Sequence, residues 1–448
     1  PTIAVATDGG VSVIKDDGIV VDITSSKAVN DVELVHFDKS GRLYIAAQSS
    51  SSVTDVYQFI RYTIPSADIS NNVYADNSDA TYYSSTTSGA SFQDVRPNFN
   101  AQYNNGVNED ITHISSNDDG GILGNVNGLS IFAENYSSQG NGLVAYTASE
   151  YNTGWMHGDI KGAFLSDTST TNKTNGQTDP DRSVNNTALT VTGTITKSVV
   201  ATGAELVSYS GFTNSNYLKQ PYNSDLNFGT GDFSVTWWMK ITGDISGTGF
   251  VFDRRNTGSR FTAYYTATDA GRLYFQTYEA GGGGTGESQM YAENIDNYKD
   301  TWTCYTLTRS GTNMTIYING KVGYQATLDV RDVNDASAEL YIGVRHNETD
   351  AVTQGELSLM RFSASIPSSE QIKKMYEDEK WIFQENAKAT LYGSSDAVTA
   401  LAFDEATNLL HVGTSAGRSD FSGLRRINNT TTAVTTAISA HDGSIAQQ

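Results

Sequence analysis

One strand-turn-strand unit occurs near both ends of the chain, and it constrains the fold more than any other feature. Residues 32–46 and 398–413 each place Phe-Asp (Phe37-Asp38, Phe403-Asp404) before a polar turn, then a Leu-rich returning strand. A looser third copy covers residues 111–123 and continues through 126–132. The run after the second copy, residues 412–417, echoes residues 5–10. Near the start, Asp8-Gly9 and Asp17-Gly18 separate β-branched runs, and such pairs close tight hairpins because they favour positive φ. A repeated antiparallel unit cannot bury both faces alone and needs neighbours on either side. Copies at both ends therefore predict a β-propeller closed by the C-terminal segment, with another domain inserted into it. About 230 residues outside the insertion, at roughly 40–50 per blade, make about five blades. A β-solenoid or a stack of sandwiches is the competing reading.

Composition agrees on the class. Only 6 Pro and 18% charged residues, with 41 Gly among 448 residues, describe strands and turns, so the chain reads as all-β. No stretch approaches about 18 consecutive apolar residues, so no membrane insertion is expected. Fifty acidic against 29 basic side chains leave a net charge of −21, which argues against a nucleic-acid partner. The single Cys, Cys304, excludes an intrachain disulfide framework and a Cys-based zinc site. In its alternating strand it reads as a buried small hydrophobe. The chain starts at Pro1 on a strand-like run with no initiator Met or signal peptide, which suggests a fragment or a processed form.

The organisation expected is a first propeller-like part over 1–165, a surface linker over 166–185, and an inserted domain over 186–366. The linker reading rests on the near absence of apolar residues in that stretch. Longer alternating strands follow, such as 233–240 and 314–321, the latter closing on Asn319-Gly320, a strong hairpin signal. Pro367 and Ser368, with Gln371 three residues on, form a capping box. One helix is therefore expected over 367–384, leading into the closing propeller-like part, 385–448.

Within the inserted domain several motifs follow in order: residues 209–212 with 216–218, residues 231–238, residues 302–309, the 316–320 hairpin, residues 340–343 and residues 355–362. Together, over about 180 residues, they resemble the laminin-G and concanavalin A-like group of jelly-roll sandwiches found in lectins and glucanases. Residues 151–163 and 385–393 are similar to stretches in virion proteins of tailed bacteriophages. That resemblance implies a tail fibre or another virion surface appendage, hence an extracellular location, other virion proteins as partners, and a homo-oligomer.

The catalytic signals of such folds are missing. Jelly-roll glycanases resemble one another in a strand bearing Glu-x-Asp-x-x-Glu, and no such run occurs between 186 and 366. Glu377-Asp378-Glu379 lies on the expected helix, where adjacent residues do not converge on one sugar ring. The six His (His36, His113, His157, His346, His411 and His441) stand singly, without zinc spacing, and read as ordinary strand or loop residues. Gly281 to Gly284 reads as a hairpin tip, since no Lys and helix follow. Calcium is a possible cofactor: residues 117–120 and 179–181 cluster oxygen donors without EF-hand spacing, and Asp253 and Asp350 are conceivable loop-rim ligands. No metal site is assigned.

What remains is recognition chemistry. Tyr outnumbers Phe by 25 to 17, and amphipathic Tyr suits binding surfaces. The long polar segment 66–108 carries Tyr74, Tyr82, Tyr83 and Tyr103, in a composition like that of antibody binding loops. The alternative is that these rings pack on a neighbouring subunit or complete a blade. On the sandwich, Asp253, Arg254 and Arg255 with Tyr264 and Tyr265 form one candidate glycan-binding cluster. Tyr274 and Tyr278 with Arg345 and Asn347 form another, combining planar donors with rings to stack on. The function expected is a non-enzymatic virion adhesin binding a host cell-surface glycan. A purely structural virion component and a glycan depolymerase are the alternatives.

Overall fold

The computed structural model describes residues 2–25, 31–48, 57–71, 80–82, 111–135, 141–183, 185–256, 258–281, 286–435, 437–441 and 444–447. The chain divides into two compact units, Pro1–Glu150 with Ala389–Gln448, and Tyr151–Lys388. Strands dominate both, and Ser369–Glu379 is the one α-helix among the described residues. No described helix is long and apolar enough to cross a membrane.

The first unit is a set of small, mostly antiparallel sheets. Asp31–Phe37, Leu43–Gln48, Tyr57–Tyr62 and Ala80–Tyr82 form one, and Val398–Asp404, Leu409–Thr414, Gly417–Ser422 and Arg425–Asn429 another. His113–Ser116, Gly121–Asn125, Gly128–Ala133 and Leu143–Thr147 follow one another as a third meander. The repeated Phe-Asp signal has a chemical cause. Asp38 Oδ1 accepts from the Ser40 and Arg42 amides at 2.9 Å, Asp404 Oδ1 from the Ala406 amide at 2.9 Å, and Asn117 Oδ1 from the Asp119 and Gly120 amides at 2.9 Å. In each copy a short polar side chain braces the turn that reverses the chain.

The first strands of successive sheets pack side by side: Ile3–Thr7 on Asp31–Phe37, that strand on His113–Ser116, and His113–Ser116 on Val398–Asp404. The propeller expectation nevertheless fails, because the described residues trace no closed ring of blades. The sheet of Ile3–Thr7, Gly10–Ile14 and Val20–Ser25 ends on a parallel strand, Ile69–Asn71, rather than a fourth meander strand. Ile3 and Val5 remain 50% and 43% exposed on its leading strand, where ring closure would bury both faces.

The second unit is a sandwich of two large sheets around one apolar core. The order in the first sheet is Lys173–Thr174, Thr194–Val199, Val207–Ser210, Gly355–Ser363, Phe233–Ile241, Thr303–Ser310, Asn313–Ile318 and Lys321–Thr327, with Ile160–Phe164 also pairing Gly355–Ser363. The second runs Thr178–Asp179, Leu189–Thr192, Tyr217–Gln220, Glu339–Ile342, Thr248–Arg255, Arg260–Thr266, Arg272–Tyr278 and Glu287–Ala292. Period-two alternation sends Phe233, Val235, Trp237 and Met239 into the core beside Phe252, Phe261, Phe275 and Phe362. Cys304 is buried, as its strand pattern requires.

Residues 166–185 are not a surface linker. They contribute two short strands, and Asp181, almost fully buried, accepts from the Ala163 and Ser183 amides at 2.8 Å. Residues 169–172 and 174–178 are exposed, but Asp179 and Asp181 are buried carboxylates satisfied by protein donors. The Asn319-Gly320 turn has φ of 50° and 75°, as a type I′ hairpin demands. The capping box forms between Ser368 and Gln371, and the helix lies on the outer face of the first sheet, where Trp238 stacks on Phe383 and Tyr376. The helix does not cover the outer face of the second sheet.

Candidate functional site

On that uncovered face the strand registers line up one row of rings. Phe250 pairs with Tyr264, Tyr264 with Tyr274, and Tyr274 with Tyr291 across four consecutive strands. Ring centroids are 4.8 Å apart for Phe250–Tyr264 and 4.7 Å for Tyr264–Tyr274, with planes within 15° and 4°. Tyr291 follows at 5.2 Å, and Tyr324 of the neighbouring sheet stacks on Tyr291 at 6.3 Å. Arg345 covers the Phe250 end at 5.2 Å from the ring, and Arg272 lies 4.1 Å from Tyr291. The ring faces are thus occupied by one another and by guanidinium groups, leaving mainly edges and hydroxyls to meet a ligand.

The next rows supply hydrogen-bonding groups. Arg260 Nε donates to Gln276 Oε1 at 2.9 Å, Gln276 Nε2 to Gln289 Oε1 at 3.3 Å, and Gln289 Nε2 to Tyr264 Oη at 2.9 Å. Arg260 also lies 4.2 Å from the Tyr278 ring and 3.6 Å from Glu287. Burial, with the nearby Tyr274 and Glu287, pushes the Tyr264 hydroxyl up to about 12, so it remains an O–H near neutrality. Beside this half lies a loop carrying Arg345, His346 and Asn347. Arg345 Nη1 meets Asp350 at 3.2 Å, Arg255 Nε meets His346 Nδ1 at 2.7 Å, and Tyr217 Oη donates to Glu348 at 2.9 Å. Each arginine here has a carboxylate within 4 Å: Asp253 for Arg255, Glu287 for Arg260 and Asp350 for Arg345. Forked donors and acceptors therefore alternate, with each of these guanidinium groups offset by a carboxylate, an arrangement suited to hydroxyl groups.

The structure divides the residues expected from sequence. Arg255, Tyr264, Tyr274, Tyr278, Arg345 and the exposed Asn347 all belong to this face or its loop. Tyr265 points the other way, into the core, and burial pushes its hydroxyl up to about 12. Arg254 is an interior brace that donates to Val333 O at 3.3 Å and Asn227 Oδ1 at 2.5 Å; burial lowers its guanidinium to about 10. Both corrections follow from period two, since neighbours in a strand face opposite ways. Asp253 is fully buried, with Oδ2 accepting from the His346 amide at 3.0 Å. Tyr74, Tyr83 and Tyr103 lie outside the described residues, and Tyr82 ends the strand Ala80–Tyr82. Most of the Gly281–Gly284 tip also lies outside them. Gln276, Gln289, Arg260 and Tyr291 were not singled out from sequence, although alternation in 260–266, 272–278 and 287–292 puts them on the same face as Tyr264 and Tyr274.

Most of the carboxylates considered for calcium are engaged by protein groups, although Asp253 Oδ1 is buried without a partner among the described residues. Asp350 meets Arg345, Asp253 meets His346, Asp118 pairs with Lys39, and Asp179 accepts from Tyr209 Oη at 2.8 Å. No three His, Cys, Asp or Glu side chains converge as a metal site among the described residues. The acidic run on the helix is likewise spoken for. Glu379 is buried against Arg361, and Asp378 accepts from Trp155 Nε1 at 2.8 Å.

The family described as the concanavalin A-like lectin/glucanases superfamily (Laminin_G_3) matches residues 212–373, which lie within the sandwich. Among solved structures, the receptor-binding domain of botulinum neurotoxin C/D mosaic serotype is 13% identical with a TM-score of 0.39, over 58% of this chain and 65% of that one. The binding domain of Paraclostridial Mosquitocidal Protein 1 is 12% identical with a TM-score of 0.38, over 58% and 64%. The binding domain of Botulinum Neurotoxin DC in complex with SialylT is 14% identical with a TM-score of 0.38, over 60% and 63%. This chain thus spans less than two thirds of the length of each of these domains. No curated protein matches it.

Proposed function

We propose that the protein is a non-enzymatic attachment protein that binds a neutral cell-surface glycan on the uncovered face of its sandwich. The observation that carries this reading is the cross-strand row Phe250–Tyr264–Tyr274–Tyr291, flanked by a hydrogen-bonded chain from Arg260 to Tyr264. With the ring faces largely occupied by one another, the Gln, Arg and Tyr polar groups along the row suit the hydroxyls of a sugar. The match of residues 212–373 to a family of lectins and glucanases supports a sugar ligand. The engagement of Glu379 and Asp378 in structural bonds favours binding over hydrolysis. The likeness of residues 151–163 and 385–393 to phage virion proteins supports a place on a virion surface, as an oligomer whose many weak sites act together.

A glycan array with the full chain tests the reading. Binding to neutral glycans that falls at least tenfold in Tyr274→Ala, with the fold retained by circular dichroism, is the expected result. Absence of binding across the array, or binding indifferent to Tyr274→Ala and Gln289→Ala, overturns it. Release of reducing sugar from a bound glycan would refute the non-enzymatic part, and light scattering reports the oligomer.

A further inference from the structure

The first unit contains a cavity of about 590 Å³ where the leading strands of three sheets meet. Residues 34–39, 113–116 and 401–403 wall it, with Ala4 and Glu405. Its size falls in the range of small-molecule sites, about 300–1,000 Å³. We propose that it is a second binding site, taking a neutral polyhydroxylated molecule of mono- to disaccharide size.

The lining chemistry selects that class. His36 Nε2 lies 2.9 Å from Ser116 Oγ, and His113 Nδ1 is buried without a partner among the described residues. An orphaned buried ring nitrogen is a group that a ligand or an ordered water satisfies. Burial holds His36 down at about 4 and also lowers His113, so both rings are neutral near pH 7; His36 Nε2 is engaged with Ser116 and His113 also bonds the Val398 backbone, which leaves His113 Nδ1 as the open ring nitrogen. Anions are disfavoured. Lys39, the cation of the lining, is paired with Asp118, and Glu405 adds an exposed carboxylate at the rim. Asp38 is spent on its own turn and on Arg42. Leu34, Phe37, Leu401 and Phe403 contribute apolar wall for the C–H face of a sugar ring.

The site is independent of the sandwich face, so the two readings fail separately. The test is saturation-transfer NMR on the full chain with the methyl glycosides of glucose, galactose, mannose and N-acetylglucosamine. At least one glycoside is expected to bind, and binding should weaken at least tenfold in His113→Phe and in Ala402→Leu, which fill the cavity from different strands. Tyr274→Ala should leave this binding unchanged. Signals lost in Tyr274→Ala but kept in both cavity variants overturn the proposal, as does the absence of transfer from all four probes.

Discussion

The two outer faces of the same sandwich are finished in opposite ways. On the first sheet, Trp238 stacks 4.2 Å from Phe383 under the helix, and its Nε1 donates to Glu379 Oε2 at 2.6 Å. Glu379 is fully buried and takes two bonds from Arg361, at 2.5 and 3.0 Å, and one from the Trp155 amide at 2.7 Å. On the second sheet the outer aromatics are Phe250 and three tyrosines stacked along one row, with arginines at its ends and polar groups beside it. A covered face tolerates a buried charge only when every lone pair is satisfied. An uncovered face can leave capacity unused, and that spare capacity is what a ligand would take up.

The contrast is most easily broken at Glu379. Glu379→Ala strands Arg361 in the interior and should cost about 3–5 kcal/mol, read as a lower urea midpoint. Next comes Asp181, whose carboxyl burial pushes up to about 6 from an ordinary 3.8. A raised folded-state value means that this group's contribution is fully present below about pH 4 and is lost as pH rises through 6. Stability measured between pH 4 and 6 should therefore fall with rising pH by up to about 2–3 kcal/mol, and Asp181→Asn should flatten that slope. A slope unchanged in the variant would refute the assignment.

Gly320 links the turn to the covering helix. A Cβ there would stand 3.1 Å from Lys373 Cα and 3.2 Å from Tyr376 Cβ, at a φ of 75°. Gly320→Ala should cost about 1–2 kcal/mol in thermal unfolding. The smallest effect belongs to the uncovered face. A double-mutant cycle on Tyr264 and Tyr274 should give a coupling of about 0.5–1.5 kcal/mol, against the at least tenfold loss of glycan binding expected of Tyr274→Ala. A stability loss at Tyr274 as large as that at Glu379 would show that the row is structural and end the contrast.

Much of this was legible beforehand. The capping box at Ser368 and Gln371, the Asn319-Gly320 turn and the inward alternation of 233–239 are local signals, and each is present in the structure. The candidate face was half legible. Tyr264 and Tyr274 are legible as candidates but fall in two separate clusters, and Tyr265 and Arg254 join Tyr264 only because adjacency in sequence is read as adjacency in space. The acids of 166–185 misled for a related reason, since composition cannot tell a solvated carboxylate from one buried under backbone amides.

The sequence by itself determined the all-β class, the turn braces at Asp38 and Asp404, and the strand alternation, because these depend on neighbours a few residues apart. Only the tertiary structure decided which sheet the helix covers, which tyrosines share a row, and that the repeated units trace no closed ring among the described residues. Those outcomes depend on register and packing between strands distant in the chain, and one residue of register reverses every side chain in a strand.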